Sequence, residues 1–162
     1  MRKALMIIAS LCIGLSAYAQ KSLPNVTVTD LDGNDYEISR ITEDGVPVIL
    51  SFWYTTCKPC LQELGAINDA YVDWIEEAEF KVVAVSTDDA RSSSKVEPMV
   101  NGRGWTDFTF LLDENGDLKR AMNVQTQPMV FIIDREGKIV FQHTGYTPGN
   151  EEELFDKILE LQ

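Results

Sequence analysis

The sequence predicts an α/β fold built on a mixed sheet. Three observations carry this. Apolar runs of strand length alternate with helical patterns, short segments pair across turn residues as hairpins do, and the chain closes on an amphipathic helix. A length of 162 residues is enough for one domain with a sizeable core.

In order, Val26-Thr27-Val28-Thr29 and Asp35-Tyr36-Glu37-Ile38 alternate in period two around Leu31-Asp32-Gly33-Asn34, the pattern of a β-hairpin. Thr42 to Gly45 has turn chemistry. Val46 to Trp53 reads as a buried central strand, with Pro47 near its start, where a missing N–H is tolerated. A long helix opens at Lys58-Pro59, since proline suits an early helical position, and runs to about Ala78. Leu61, Leu64, Ile67, Tyr71, Trp74 and Ile75 recur at helical spacing and are predicted to face the sheet. Phe80 to Ser86 is a second buried strand. From Asp88 the chain reads as a loop and a modest helix to about Asn101, weakened by Ser92-Ser93-Ser94 and Pro98.

Phe108 to Leu112 is a short strand, and Asp117 to Met122 a short helix. Met129 to Ile133 and Lys138 to Gln142 form a hairpin across Asp134-Arg135-Glu136-Gly137. Asn150 is predicted to cap the last helix, with Glu151, Glu152 and Glu153 beside its dipole. Leu154, Phe155, Ile158, Leu159 and Leu161 form its apolar side.

The first residues read as an address rather than as part of the domain. Arg2 and Lys3 precede an apolar stretch from Ala4 to Leu15, and Ala17-Tyr18-Ala19 has the small-x-small form of a cleavage site. Residues 1–19 are therefore expected to be a signal peptide and 20–162 the mature domain, periplasmic or otherwise exported. The apolar stretch is short for a membrane anchor, so no stable membrane insertion is expected after cleavage. Leu11 stands where a lipobox would place a small residue before Cys12, which is expected to leave with the leader. Loss of Arg2 and Lys3 takes the net charge from −12 to −14, which argues against nucleic acid and anionic membranes as partners.

The domain then keeps two cysteines, Cys57 and Cys60, between a buried strand and a helix start. A helix N-terminus carries partial positive charge and free N–H groups, both of which favour a thiolate. The three-residue spacing puts both sulfurs on one side of the first turn, close enough for a disulfide. Lys58 between them adds positive charge. A structural zinc site needs four ligands, and among cysteines and histidines the domain offers Cys57, Cys60 and His143. An inert structural disulfide is the bland alternative; dithiol exchange is the expected chemistry, with no cofactor beyond a redox-active Cys57–Cys60 disulfide.

Phe52-Trp53-x-Thr55-x-Cys57-x-Pro59-Cys60-x-x-Glu63 resembles the active-site segment of the TlpA/ResA-like exported thioredoxin family. So do Val124-x-x-x-Pro128 before an apolar strand, Asp134-x-x-Gly137-Lys138, and Gly145. The resemblance spans about Leu23 to Leu161. It implies a thioredoxin fold with an N-terminal β-hairpin extension and a central inserted αβ segment. It also implies thiol–disulfide exchange on exported protein disulfides, commonly as a reductant fed by a membrane thiol electron donor. Some relatives serve cytochrome c maturation.

Residue by residue, the resemblance makes Cys57, Cys60 and Glu63 catalytic, with Glu63 exchanging a proton with Cys60. It makes Pro128 a cis proline that turns the backbone of Gln127 toward a client strand. Trp53, Thr56, Lys58 and Pro59 would line the client surface with Gln127 and Pro128. Two positions depart from the pattern. Ser51 stands where cytoplasmic thioredoxins have a buried aspartate, and Thr56 where many relatives have tryptophan.

Two other readings compete. A copper-binding chaperone of this fold would use Cys57, Cys60 and His143, although such proteins have CxxxC spacing. A peroxiredoxin-like peroxidase would resemble Pro-x-x-x-Thr-x-x-Cys, which Phe52 and Tyr54 do not supply.

Overall fold

The computed structural model describes residues 22–162; the expected signal peptide and the mature N-terminus lie outside them. Seven strands form one sheet: β1 (Thr27–Asp30), β2 (Asp35–Glu37), β3 (Val48–Trp53), β4 (Lys81–Ser86), β5 (Thr109–Leu112), β6 (Met129–Ile133) and β7 (Ile139–Thr144). Four α-helices accompany them: α1 (Lys58–Glu77), α2 (Val96–Arg103), α3 (Asp117–Ala121) and α4 (Asn150–Leu159). Short 3-10 helices cover Ile38–Thr42 and Ser93–Lys95.

The strand order is β2-β1-β5-β4-β3-β6-β7. β3, β4 and β5 run parallel, and every other pairing is antiparallel. The expected mixed sheet, N-terminal hairpin and central αβ segment (α2 and β5) are all present. The hairpin turn is set by Asp30, whose carboxylate accepts from the backbone N–H groups of Asp32 at 3.0 Å and Asn34 at 2.8 Å.

All six residues of β3 are buried, so their alternation supplies two cores. Ile49 and Trp53 point into the layer of α1, α2 and α4, while Val48, Leu50 and Phe52 point into the layer of the 38–42 turn and α3. Parity puts Ser51 on the α1 side, between two apolar neighbours. The α1 layer is aromatic: Trp74 stacks on Phe155, and edge contacts link Phe80, Tyr71 and Phe108. Trp53 meets the rings of Trp105 and Phe110 edge-on at 6.0 and 5.9 Å.

Three sequence expectations need correction. Ile75 does not face the sheet; it is 47% exposed, because α1 is covered on one stripe and position 75 falls beside it. Asn150 is the first residue of α4 rather than its cap. Gly149, at φ 101°, takes the cap position, and the Asn150 carboxamide instead accepts from the Thr147 N–H at 2.8 Å. The last strand also runs two residues past Gln142, to Thr144.

Candidate active site

β3 ends at Trp53, and the chain leaves the sheet through Tyr54-Thr55-Thr56 into α1. Cys57 caps α1: its Sγ accepts from the backbone N–H of Cys60 at 3.2 Å. That bond and the helix dipole place positive charge where a thiolate would form. Lys58 and Pro59 occupy the first turn, and proline loses no hydrogen bond there. Cys57 and Cys60 are joined in a disulfide with their Cα atoms 5.3 Å apart.

Thr56, Lys58 and Pro59 are exposed around the pair. The cysteines themselves are sheltered. Cys57 is 3% exposed and Cys60 0%. The expectation for Trp53 is corrected. Its side chain is fully buried between Trp105 and Phe110, so it supports the loop from beneath and offers no client surface.

Glu63 lies one turn after Cys60 and is 1% exposed. Burial in the α1 layer pushes its carboxyl up to about 8. The Ser51 hydroxyl, donating to Oε2 at 3.0 Å, opposes the shift, and the charge of Glu151 adds to it. Strand β3 thus supplies a hydroxyl and helix α1 the carboxyl. Ser51 was read in the sequence only as a missing aspartate; its part in holding Glu63 follows from strand parity combined with the i+3 position. Glu151, in the first turn of α4, accepts from the Tyr146 hydroxyl at 2.8 Å and the Gly149 N–H at 2.9 Å.

β6 pairs antiparallel with β3, Met129 opposite Phe52, so Gln127 and Pro128 arrive at the sheet end where β3 runs out toward Cys57. The Gln127–Pro128 peptide bond is cis. Pro128 is buried, and its carbonyl accepts from the Gly145 N–H at 2.8 Å. Gln127 is half-buried. Its side chain donates to Thr87 Oγ1 at 3.1 Å, and its backbone N–H and C=O make no hydrogen bond among the described residues.

His143 is not brought to the pair. It lies on β7 opposite Val130, with Nδ1 3.6 Å from Glu153, and among the described residues no three His, Cys, Asp or Glu side chains converge as metal ligands. A cleft along β1 and β5, lined by Thr29, Asp35, Asp113 and Asp117, contains neither cysteine. No helix of the described residues is long and apolar enough to cross a membrane.

This arrangement has known counterparts. The pattern that defines the AhpC/TSA family matches residues 19–142. The thiol-disulfide oxidoreductase ResA of Bacillus thuringiensis (strain Al Hakam) is 33% identical over 125 residues, 77% of this chain and 69% of that protein. The solution structure of a thioredoxin-like protein from Porphyromonas gingivalis is 47% identical with a TM-score of 0.77, covering 86% of this chain and 90% of that one. The crystal structure of a putative thiol:disulfide interchange protein DsbE from Chlorobium tepidum is 29% identical with a TM-score of 0.75, covering 88% of this chain and 96% of that one. A strand-to-helix loop closed by a cysteine pair, the thioredoxin-like sheet behind it and these likenesses agree: the chain belongs to the AhpC/TSA family, as a thiol–disulfide oxidoreductase of the ResA/TlpA-like kind.

Proposed function

We propose that the protein works outside the cytoplasm as a reductant of disulfides in exported proteins. The carrying observation is the Cys57–Cys60 pair at the first turn of α1 with a buried carboxyl, Glu63, one turn behind it. The N-terminal sequence supports export, since Arg2-Lys3, the apolar stretch and Ala17-Tyr18-Ala19 have the form of a cleavable leader. A mature chain beginning at Gln20 is the expected product.

In the reductive half, the Cys57 thiolate attacks one sulfur of a client disulfide, forming a mixed disulfide and releasing the other client sulfur as a thiolate. Cys60 loses its proton and attacks Cys57, which frees the second client thiolate. Two electrons have then passed from the Cys57/Cys60 dithiol to the client, and the two client thiolates take up protons. Glu63, one turn after Cys60 and ionised once it has given up its proton in the return half of the cycle, takes the Cys60 proton. In the return half, a membrane thiol donor reduces the Cys57–Cys60 disulfide, and Glu63, which holds its proton up to about pH 8, protonates the departing Cys60 sulfur.

Client contact falls to the exposed Thr56, Lys58 and Pro59 and to the unpaired backbone groups of Gln127, which suit an extended segment added as a strand. Thr56 gives this surface a small polar side chain beside the reactive sulfur. Insulin reduction tests the reading. Cys57→Ser and Cys60→Ser should each lose turnover by about a thousandfold or more, as expected for removal of a covalent nucleophile or its resolving partner. Only Cys60→Ser should trap mixed disulfides. Wild-type turnover by either variant overturns the proposal.

A further inference from the structure

Asp88 is a buried carboxylate that the mechanism above does not use. Asp88, in the loop after β4, is 8% exposed and has no cationic partner among the described residues. Both its oxygens are occupied. Oδ1 accepts from the Thr55 hydroxyl at 2.7 Å, and Oδ2 accepts from the Thr55 backbone N–H and the Ser86 hydroxyl, each at 2.8 Å. The Asp88 N–H in turn donates to Ser86 Oγ at 3.1 Å. A buried charged group held by three donors is costly to assemble, and losing one partner is costly too.

The target of those bonds is the loop that carries the nucleophile. Thr55 lies two residues before Cys57, in a stretch where the Cys57 N–H also donates to the Tyr54 carbonyl at 3.0 Å. The neighbour of Asp88 continues the link. The Thr87 N–H and hydroxyl donate to the Trp53 carbonyl at 2.8 and 3.2 Å, and Thr87 Oγ1 accepts from the Gln127 side chain. Ser86, Thr87 and Asp88 therefore span the gap between the Cys57 loop and the Gln127 segment, which approach from different parts of the chain.

We propose that Asp88 is a positioning residue of this site, holding Thr55 so that the Cys57 loop keeps its place against Cys60 and against the client segment at Gln127. The proposal rests on the thiol–disulfide reading above. Thr55 then owes its place in the active-site segment to its two bonds to Asp88, rather than to contact with client.

The test uses the wild-type protein with Asp88→Ala, Thr55→Val, Thr55→Ser and the Asp88→Ala/Thr55→Val double variant. Each is read by kcat/KM for insulin reduction and by the equilibrium of Cys57/Cys60 with glutathione. Asp88→Ala and Thr55→Val should each lower kcat/KM about tenfold and shift the glutathione equilibrium constant about threefold or more. The double variant should lose no more than Asp88→Ala alone, since both act through the same bonds. Thr55→Ser, which keeps the hydroxyl, should behave as wild type. Should Asp88→Ala not fold, Thr55→Val against Thr55→Ser decides alone. Wild-type kinetics and equilibrium in Asp88→Ala or Thr55→Val overturn the proposal, as do fully additive losses or failure of Thr55→Ser to preserve function. If wild type reduces no disulfide, the reading of function fails, while the glutathione equilibrium still measures what Asp88 does.

Discussion

Glu63 and Asp113 are both buried carboxyls, 1% and 3% exposed, and burial pushes both upward; yet they occupy regions built for different ends. Asp113 directly follows strand β5 and accepts from the backbone N–H groups of Leu118 and Lys119 at 3.1 and 2.7 Å. Those donors oppose the effect of burial, so the carboxylate serves as a fixed cap on the short helix α3. Glu63 sits among apolar side chains with one hydroxyl donor and a second carboxylate, Glu151, close enough to disfavour its charge. The lesson is that burial alone does not decide what a carboxyl does. The number and kind of donors decide whether it is a structural anion or a reservoir for a proton.

Removing the carboxyl at the active site should have the larger effect. Glu63→Gln keeps the shape and a partner for Ser51 but cannot exchange a proton, so kcat for insulin reduction should fall about a hundredfold, at the lower end of general acid–base contributions. The same variant separates the two regions by stability. A folded-state value near 8 against the ordinary 4.5 means that the native state binds a proton the unfolded chain has released. Wild type should therefore lose stability as pH rises from about 4.5 to about 8, by a few kcal/mol in all. Denaturant midpoints for Glu63→Gln should stay flatter over that window and exceed wild type at its upper end. Equal pH slopes in the two proteins would remove the proton-reservoir role.

Asp113→Ala should do the converse. Two N–H groups at the start of α3 lose their acceptor, which costs about 1–2 kcal/mol in denaturant unfolding. The turnover of the folded fraction should not change, because α3 packs in the layer opposite α1 and Cys57. A fall in kcat beyond the folded fraction would show that the two regions are not separate.

The same contrast explains what the sequence disclosed. The positions of β3, α1, β4, β6 and the hairpins follow from local periodicity, turn residues and an early proline, so nearly the whole architecture was legible. Cys57 and Cys60 were legible because three-residue spacing is itself a geometric statement. Glu63 needed the family resemblance to stand out among many acidic residues, since its burial depends on what covers the helix. Asp88 was invisible as a partner of Thr55, because the bond spans 33 positions and arises from parallel pairing of β3 with β4. Trp53 misled for a related reason: adjacency to the cysteine loop resembles exposure until Trp105 and Phe110, far along the chain, close over it. Nonlocal packing, rather than weak signal, set the limit.

Within the Glu63 region, Ser51→Ala sharpens the comparison further. It removes the one donor to the carboxyl, so the proton should be held to higher pH and the pH–rate profile should move upward. The stability cost should be about 1 kcal/mol, that of one hydrogen bond. Ser51→Thr, keeping the hydroxyl, should leave the profile in place. An unchanged midpoint in Ser51→Ala would mean that the hydroxyl does not solvate the charged form.

The smallest effect is expected from Glu151→Gln, and it tests the cause of the shift most directly. Glu151 is half-buried at the start of α4, where water and salt weaken its field at Glu63. A glutamine there still accepts from the Tyr146 hydroxyl and the Gly149 N–H, so the turn into α4 should hold. What it loses is a like charge, and Glu63 should release its proton at lower pH, moving the rate profile opposite to Ser51→Ala. High salt should imitate the substitution in wild type and do little to the variant, because screening and neutralisation remove the same interaction. If salt moves both proteins equally, Glu151 is not its source, and desolvation by the apolar wall of α1 must account for all of the rise.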